Sequence, residues 1–269
     1  MSNPCILLDS NNINSSQELI ISESFSQPII LPEGPELTVY IKKNLDVHLV
    51  APNSPVKLVL ESDAQAYWYG VSNTNMNLCA RLESQTMLNI ININLGAQDT
   101  NNLINIDLLA PKAQTNFLGL DQLSKTQRSS LRLVINHRTE QTKSSQAFRG
   151  IYAHESLGFF EGKVIVHPHA QQSSAQQLYK ALLLSERARA HVRPELEINN
   201  FDITASHGAS IGQLDEEALF YLCSRGLSLK SAQKILVESL AQDILQEIHP
   251  VMREYLSLQV AHALEKIYE

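Results

Sequence analysis

The chain has 269 residues, of which 43% are hydrophobic and 18% charged, so it holds enough apolar material to fold without disulfides or metals. Its formal net charge of −7 opposes contacts with a phosphate backbone and argues against a nucleic acid partner. The three cysteines, Cys5, Cys79 and Cys223, form no CxxC pair, which argues against a disulfide framework or a zinc site and favours a reducing compartment.

The N-terminal segment, residues 1–35, is polar and rich in serine and asparagine, with short apolar runs at Ile6–Leu8 and Pro28–Leu31. This composition predicts a partly disordered segment. Met1–Ser10 lacks the basic and apolar regions of a secretion signal, and no stretch of the chain reaches the ~20 apolar residues of a membrane span. We therefore expect a cytoplasmic protein with no membrane partner.

In residues 36–212 the apolar residues form short β-branched runs that alternate with polar residues and lack helical spacing. Typical runs are Leu37–Ile41, Val56–Leu60, Leu88–Ile93, Leu131–Ile135 and Val164–Val166. Hairpin-built sheets usually need turn residues that tolerate positive φ, yet Asn-Gly and Asp-Gly are absent and only 10 residues are glycine. A parallel solenoid needs no such reversals. The pattern therefore predicts a mainly β fold and favours a parallel β-helix.

Residues 213–269 have a helical pattern and are predicted to form a small C-terminal α-helical domain. Asp215 is expected to cap a first helix that ends at Gly226, Ser228 to cap a second, and Pro250 to open a third. The predicted buried stripes are Ala232, Ile235, Leu236, Leu240, Ile244 and Ile248 on the second helix, and Val251, Tyr255, Leu258 and Ile267 on the third.

Several ordered sequence blocks follow Phe148 at characteristic separations. They are Gly158–Val166, Ala170–Gln177, Leu182–Ser185, Pro194–Ile198 and Ser206–Leu222, the last followed by Ser224–Gly226. Over roughly the last 120 residues the chain resembles the SufB/SufD family of SUF-system iron–sulfur cluster assembly proteins. The run from Ser206 to Leu222 is the most specific block and is more similar to SufD than to SufB.

This resemblance implies a right-handed parallel β-helix of the SufBD type and a scaffold subunit that is not an enzyme. It implies a SufB-type partner that docks through β-helix strands to form a heterodimer. A homodimer of the isolated chain remains an alternative. It also implies that the helical domain binds a SufC-type ABC ATPase, for which we expect Phe220, Tyr221 and Arg225 to be contact residues. No tightly bound cofactor is expected, only a transient iron–sulfur cluster at a subunit interface.

The chain departs from the family pattern at two places. Family members commonly carry an additional N-terminal helical region, which is missing here or reduced to residues 1–35. Many D-type proteins also have a cysteine two residues before the motif histidine, where this chain has Ala205. Any role of that thiol is therefore lost.

His207 is the candidate site residue that the resemblance singles out. The resemblance implies that His207 lies at the interface with the B-type partner, where an imidazole nitrogen could ligate iron together with groups of the other chain. The small neighbours Ser206, Gly208 and Ala209 would allow close approach. The alternative is a structural histidine that is hydrogen-bonded in a β-helix corner.

Other polar motifs are interpreted structurally. His167 and His169 flank Pro168, and we expect a solvated corner in place of a metal site. Gly158–Lys163 lacks the spacing of a phosphate loop and is predicted to be strand, so ATP hydrolysis would come from a partner. Glu195, Glu197, Asp202 and Asp215–Glu217 could supply paired carboxylates for glycoside chemistry, but Asp215–Glu217 suit a helix N-terminus better. Cys223 is expected to be a small buried hydrophobe.

Two further functions remain open at the level of sequence. A parallel β-helix can carry a polysaccharide-active enzyme, because a fold does not determine a function. The chain could also be a homo-oligomeric interaction protein that has lost cluster assembly activity, as the short N-terminus and Ala205 suggest.

Overall fold

The computed structural model describes residues 5–7, 13–71, 75–96 and 99–267. These residues form a parallel β-helix followed by three α-helices, which confirms the predicted mainly β fold with a helical C-terminal part. None of the helices in these ranges combines the length and the apolar character that a bilayer crossing requires.

The β-helix contains the following strands: β1 (Ile6–Leu7), β2 (Glu18–Ile21), β3 (Ile29–Ile30), β4 (Leu37–Ile41), β5 (Asp46–Val50), β6 (Val56–Leu60), β7 (Gln65–Val71), β8 (Asn77–Leu82), β9 (Met87–Asn94), β10 (Asp99–Leu108), β11 (Gln114–Leu123), β12 (Arg128–His137), β13 (Lys143–Tyr152), β14 (Leu157–Val166), β15 (Ser173–Leu183), β16 (Arg189–Ile198) and β17 (Ile203–Gly212). The helices are α1 (Glu216–Ser224), α2 (Leu229–Leu245) and α3 (Pro250–Ile267).

The strands alternate between two parallel sheets. All odd-numbered strands lie in order in a nine-stranded sheet, and all even-numbered strands lie in order in an eight-stranded sheet. Register partners on neighbouring parallel strands direct their side chains to the same face of the sheet. Inward-facing side chains therefore stack in columns that continue from coil to coil. One column runs through Asn92, Gly119, Phe148 and Tyr179 in the nine-stranded sheet. This stacking explains the alternating burial along the strands.

The corners between coils contain residues with positive φ, although a parallel solenoid was expected not to need them. Within the described ranges, nine non-glycine residues take left-handed conformations with φ between 54° and 64°. They are Gln17, Asn44, Asp63, Gln85, Lys112, Lys125, Gln141, His154 and Gln172. Polar side chains tolerate this region better than β-branched ones do. The β-helix therefore needs few glycines although its corners are tight.

The β-helix begins before the predicted boundary at residue 36. Strands β2 and β3 pair in parallel with β4 and β5, and their Leu19, Ile21 and Ile29 are buried in the core. These apolar runs are too short to stand out in a polar sequence, but each is held by the coil that follows. Leu8, the last residue of the apolar run Ile6–Leu8, lies outside the described residues.

Polar side chains are also buried among the stacked core residues. The ring nitrogens of His137 lie 2.8 Å from the hydroxyls of Thr142 and Ser144, and burial lowers the pKa of His137 to about 4. Burial raises the pKa of Asp121 to about 6, although the Tyr152 hydroxyl donates to its carboxylate at 3.4 Å. Desolvation thus shifts both groups towards their uncharged forms.

Helices α2 and α3 pack on the outer face of the nine-stranded sheet and create a second core. The strands contribute Tyr69, Ile91, Ile93, Leu120 and Ile151, and Ala153 follows β13 directly. The helices contribute Val237, Ala241, Ile244, Leu245, Met252, Leu256, Val260, Leu264 and Ile267, and Ile248 lies between α2 and α3. At one margin the Arg149 guanidinium, almost fully buried, lies 3.4 Å from the Asp243 carboxylate on α2. The helical part is therefore an integral layer of the protein.

The buried faces of these helices match the predicted stripes in part: Ala232, Ile244, Ile248 and Ile267 are buried as predicted. Ile235 is 41% exposed and Leu258 is 44% exposed, whereas Val237 and Leu256 are fully buried. Both helices carry apolar residues on more than one face, and only contact with the sheet decides which face is covered. The predicted caps are confirmed: Asp215 accepts from two backbone N–H groups of α1, Ser228 accepts from Ser231, and Gly226 has a φ of 93°.

Candidate functional site

The last coil of the β-helix is open. Among the described strands, β16 pairs only with β14 and β17 pairs only with β15. Each is 10 residues long, so each leaves an edge of unpaired backbone donors and acceptors. Proteins usually cover or charge such edges, because an uncovered edge is a template for pairing with another chain.

The register places His207 in an inward-facing column. Its Cα partner is Gln177, which is 5% exposed, and the partner of Gln177 is Gln146, which is 2% exposed. Ala205, two residues earlier, packs against the core. His207 therefore faces the same way as the buried glutamines, but it is exposed because no described coil follows.

His207 lies in the middle of a strand, so the alternative of a corner histidine does not describe it. Within the described part of the chain its ring has no hydrogen-bond partner. The neighbouring Gly208 is not required by packing, since a Cβ there would meet Leu178 at an ordinary 3.5 Å. An imidazole and a small residue thus lie side by side on an accessible edge.

An apolar rim lines the open last coil, and sequence reasoning missed it. Across the opening, Ala190, Val192 and Leu196 of β16 pack only partly against the core. Large apolar residues of the last coil are exposed: Ile198, Phe201 and Ile211. The signal in the sequence was the absence of any strand-like run after Ile211 to cover them.

The described residues contain no group of three or more histidine, cysteine, aspartate or glutamate side chains that could hold a metal ion. His207 alone offers one ligand, so an iron site at the open end would need ligands from a second chain. His167 follows β14 in a corner, and exposed His169 lies in the same corner.

The glycines of the Gly158–Lys163 segment lie within strand β14, as predicted. A Cβ on Gly158 would lie 2.2 Å from the Tyr152 hydroxyl, so this glycine makes room for a buried ring.

The second candidate surface is helix α1. It contains no buried residue, and Phe220 and Tyr221 are 77% and 57% exposed. The Arg225 guanidinium lies 5.3 Å from the centre of the Tyr221 ring, at cation–π distance. The three predicted contact residues therefore occupy one accessible helix and its C-cap. Cys223 is only partly buried, so it is less enclosed than expected.

Residues 14–240 match the family model of the SUF system FeS cluster assembly, SufBD core domain. The chain belongs to the SufBD family. The match includes most of the β-helix, the open end, α1 and most of α2. The fold expected from the resemblance is thus supported independently by the family match and by the strand topology.

Relatives of this SufBD-family chain come from bacteria and a plant. An iron–sulfur cluster assembly SufBD family protein of Synechocystis is 34% identical over 61% of this chain and 36% of its own length. Protein ABCI7, chloroplastic, of Arabidopsis thaliana is 29% identical over 62% of this chain and 35% of its own. The Escherichia coli iron–sulfur cluster assembly protein SufD is 29% identical over 46% of this chain and 29% of its own length. The chain thus matches only about a third of the length of these relatives.

Proposed function

We propose that this chain is a SufD-like scaffold subunit in SUF iron–sulfur cluster assembly, and that it binds partners without turning over a substrate. The observation that carries the proposal is the open last coil, with its two unpaired 10-residue edges and apolar rim. A SufB-type β-helix with its own open coil would extend both sheets through main-chain hydrogen bonds. Family membership and the resemblance to SufD support this choice of partner.

The iron–sulfur cluster enters this proposal as cargo. The His207 imidazole is a suitable iron ligand, and on the open edge it would face the partner. Because Ala205 supplies no thiol next to it, the other ligands would come from the SufB-type chain. The cluster would then form at the interface and leave with an acceptor. The free cysteines fit the reducing conditions of the cytoplasm, which is the proposed location.

Replacing His207 by alanine should leave folding intact and impair assembly. The residue is exposed and its ring has no hydrogen bond to any residue that the structure describes, so the free energy of unfolding should change by less than about 0.5 kcal/mol. Cluster formation by the complex reconstituted with the SufB-type subunit and the ATPase should fall at least about tenfold, as for the loss of a metal-site group. Iron–sulfur absorbance and thermal unfolding measure the two effects.

His169→Ala is the matched control, because His169 is an exposed histidine in a corner. This substitution should change neither the free energy of unfolding nor cluster formation. Normal cluster formation by His207→Ala, with a strongly lowered melting temperature, would make His207 a structural residue.

We also propose that the exposed face of α1 is where the SufC-type ATPase docks. Exposed aromatic rings beside an arginine are typical of residues that dominate binding energy. The double substitution Phe220→Ala and Tyr221→Ala should weaken ATPase binding about 30-fold or more. It should not affect stability much, because neither ring is buried. Calorimetric titration of the variant with the ATPase measures the affinity.

Phe159→Ala is the control for this experiment, because Phe159 is an exposed aromatic on the eight-stranded sheet. Equal affinities of both variants for the ATPase would exclude α1 as the docking surface.

A further inference from the structure

A cavity of about 500 Å³ lies where the end of α3 meets two corners of the β-helix. Its wall includes Lys266 of α3, Gln122 near the end of β11, and Lys125 in the corner that follows β11. No residue of the open end or of α1 lines it. The cavity is therefore separate from both surfaces discussed above, and its size is in the range of small-molecule sites.

Gln122 is a buried polar group without partners. The residue is 3% exposed, and neither Oε1 nor Nε2 has a hydrogen-bond partner among the residues that the structure describes. Leaving such a group unsatisfied costs about as much as a lost hydrogen bond, so each instance in a folded protein calls for an explanation. An amide can donate through Nε2 and accept through Oε1 at the same time.

The neighbouring Gln127 is already engaged and shapes the wall. Its Oε1 accepts from the Ser124 backbone N–H at 2.8 Å, and its Nε2 donates to the Gly96 carbonyl at 2.6 Å. Gln127 thereby ties together the two corners that bound the cavity. It leaves Gln122 as the amide on this wall that is free to bind a ligand.

The cavity wall is positively charged. Lys125 and Lys266 both line it, and no aspartate or glutamate among the described residues does. Neither lysine forms an ion pair with any residue in the described ranges. In a chain with a net charge of −7, two ammonium groups beside a buried amide are a local concentration of anion-binding groups.

We propose that this cavity binds a small ligand that carries an anionic oxygen group, either phosphate or carboxylate, and a hydrogen-bond donor. Lys125 and Lys266 neutralise the anion, and Gln122 Nε2 donates to one of its oxygens. Gln122 Oε1 accepts from a hydroxyl or amino group of the same ligand. Because the wall combines α3 with β-helix corners, binding also holds the helical layer against the sheet.

The test is a calorimetric titration of the full chain with inorganic phosphate and, separately, with succinate, at constant ionic strength. We expect at least one anion to bind saturably and to raise the melting temperature above that in sodium chloride. Phosphate binding alone would identify a phosphate ligand, and succinate binding alone a carboxylate ligand. Effects of both anions that are no larger than those of chloride would overturn the proposal.

Lys125→Gln is the informative variant, because Gln17, Gln85, Gln141 and Gln172 already take the same left-handed conformation at other corners. It should weaken binding of the anion about tenfold, as for the loss of one charge-assisted hydrogen bond. Lys112→Gln is the matched control, since Lys112 has a φ of 64° at a corner that does not line the cavity. Equal weakening by both variants would show a non-specific charge effect and refute the site.

Gln122→Met separates a ligand site from a merely hydrated one. The variant keeps the size of the side chain and removes both unsatisfied atoms, so it should raise the melting temperature without ligand. If the proposal is right, it also weakens anion binding about tenfold. Unchanged anion binding by a stabilised Gln122→Met protein would show that the anion does not contact Gln122, which would overturn the proposed site.

Discussion

Replacing Ile211 by lysine should prevent the chain from pairing with a SufB-type subunit. Ile211 is 45% exposed in the inward-facing column of β17, so the folded chain tolerates a charge there. In the proposed complex the next coil would cover it and bury an ammonium group without a partner. That costs about 3 kcal/mol, which is about a hundredfold in affinity. Affinity for the SufB-type subunit, measured by calorimetry or surface binding, gives the result.

Leu258→Lys is the matched control, because Leu258 is 44% exposed but lies on α3, away from the open end. It should bind the SufB-type subunit as the unmodified chain does. Equal binding by both variants would show that the open end is not the interface. A self-association that Ile211→Lys abolishes, without any binding to the SufB-type subunit, would instead favour the homo-oligomeric function.

Removing residues 213–269 should destabilise the β-helix. The deletion exposes Tyr69, Ile91, Ile93, Leu120 and Ile151, which α2 and α3 now cover. Returning one large apolar side chain to water costs about 1.5–3 kcal/mol. We therefore expect the truncation to lose more than about 5 kcal/mol, which is comparable with the whole stability of many domains. Urea unfolding of both proteins measures the loss.

Two point variants calibrate that measurement. Leu256→Ala removes a fully buried side chain and should cost about 2–5 kcal/mol, whereas the exposed Leu258→Ala should cost less than about 0.5 kcal/mol. A truncated protein that unfolds at the same urea concentration as the full chain would show that the second core adds no stability. Because we expect the opposite, ATPase docking should be tested with Phe220 and Tyr221 variants and not by truncation.

Local chemistry made much of the fold predictable from sequence. Alternating runs such as Leu37–Ile41 and Leu131–Ile135 form strands because one face is buried and the other is not. Asp215 and Ser228 cap their helices through groups only two or three residues away. The motif around His207 indicates the family without any information on tertiary contacts, and the family match confirms it. Each of these features depends on residues that are close together in the chain.

Tertiary structure decided what depends on distant residues. Leu256 and Leu258 are equally apolar in sequence, yet only contact with the nine-stranded sheet buries the first and leaves the second exposed. His207 faces inward because β17 pairs in register with β15, and it is accessible because the coils end there. The cavity beside Gln122 exists only where α3 returns to corners more than a hundred residues earlier in the chain. Periodicity and motifs contain no information about such long-range pairings, because burial is a property of the assembled surfaces.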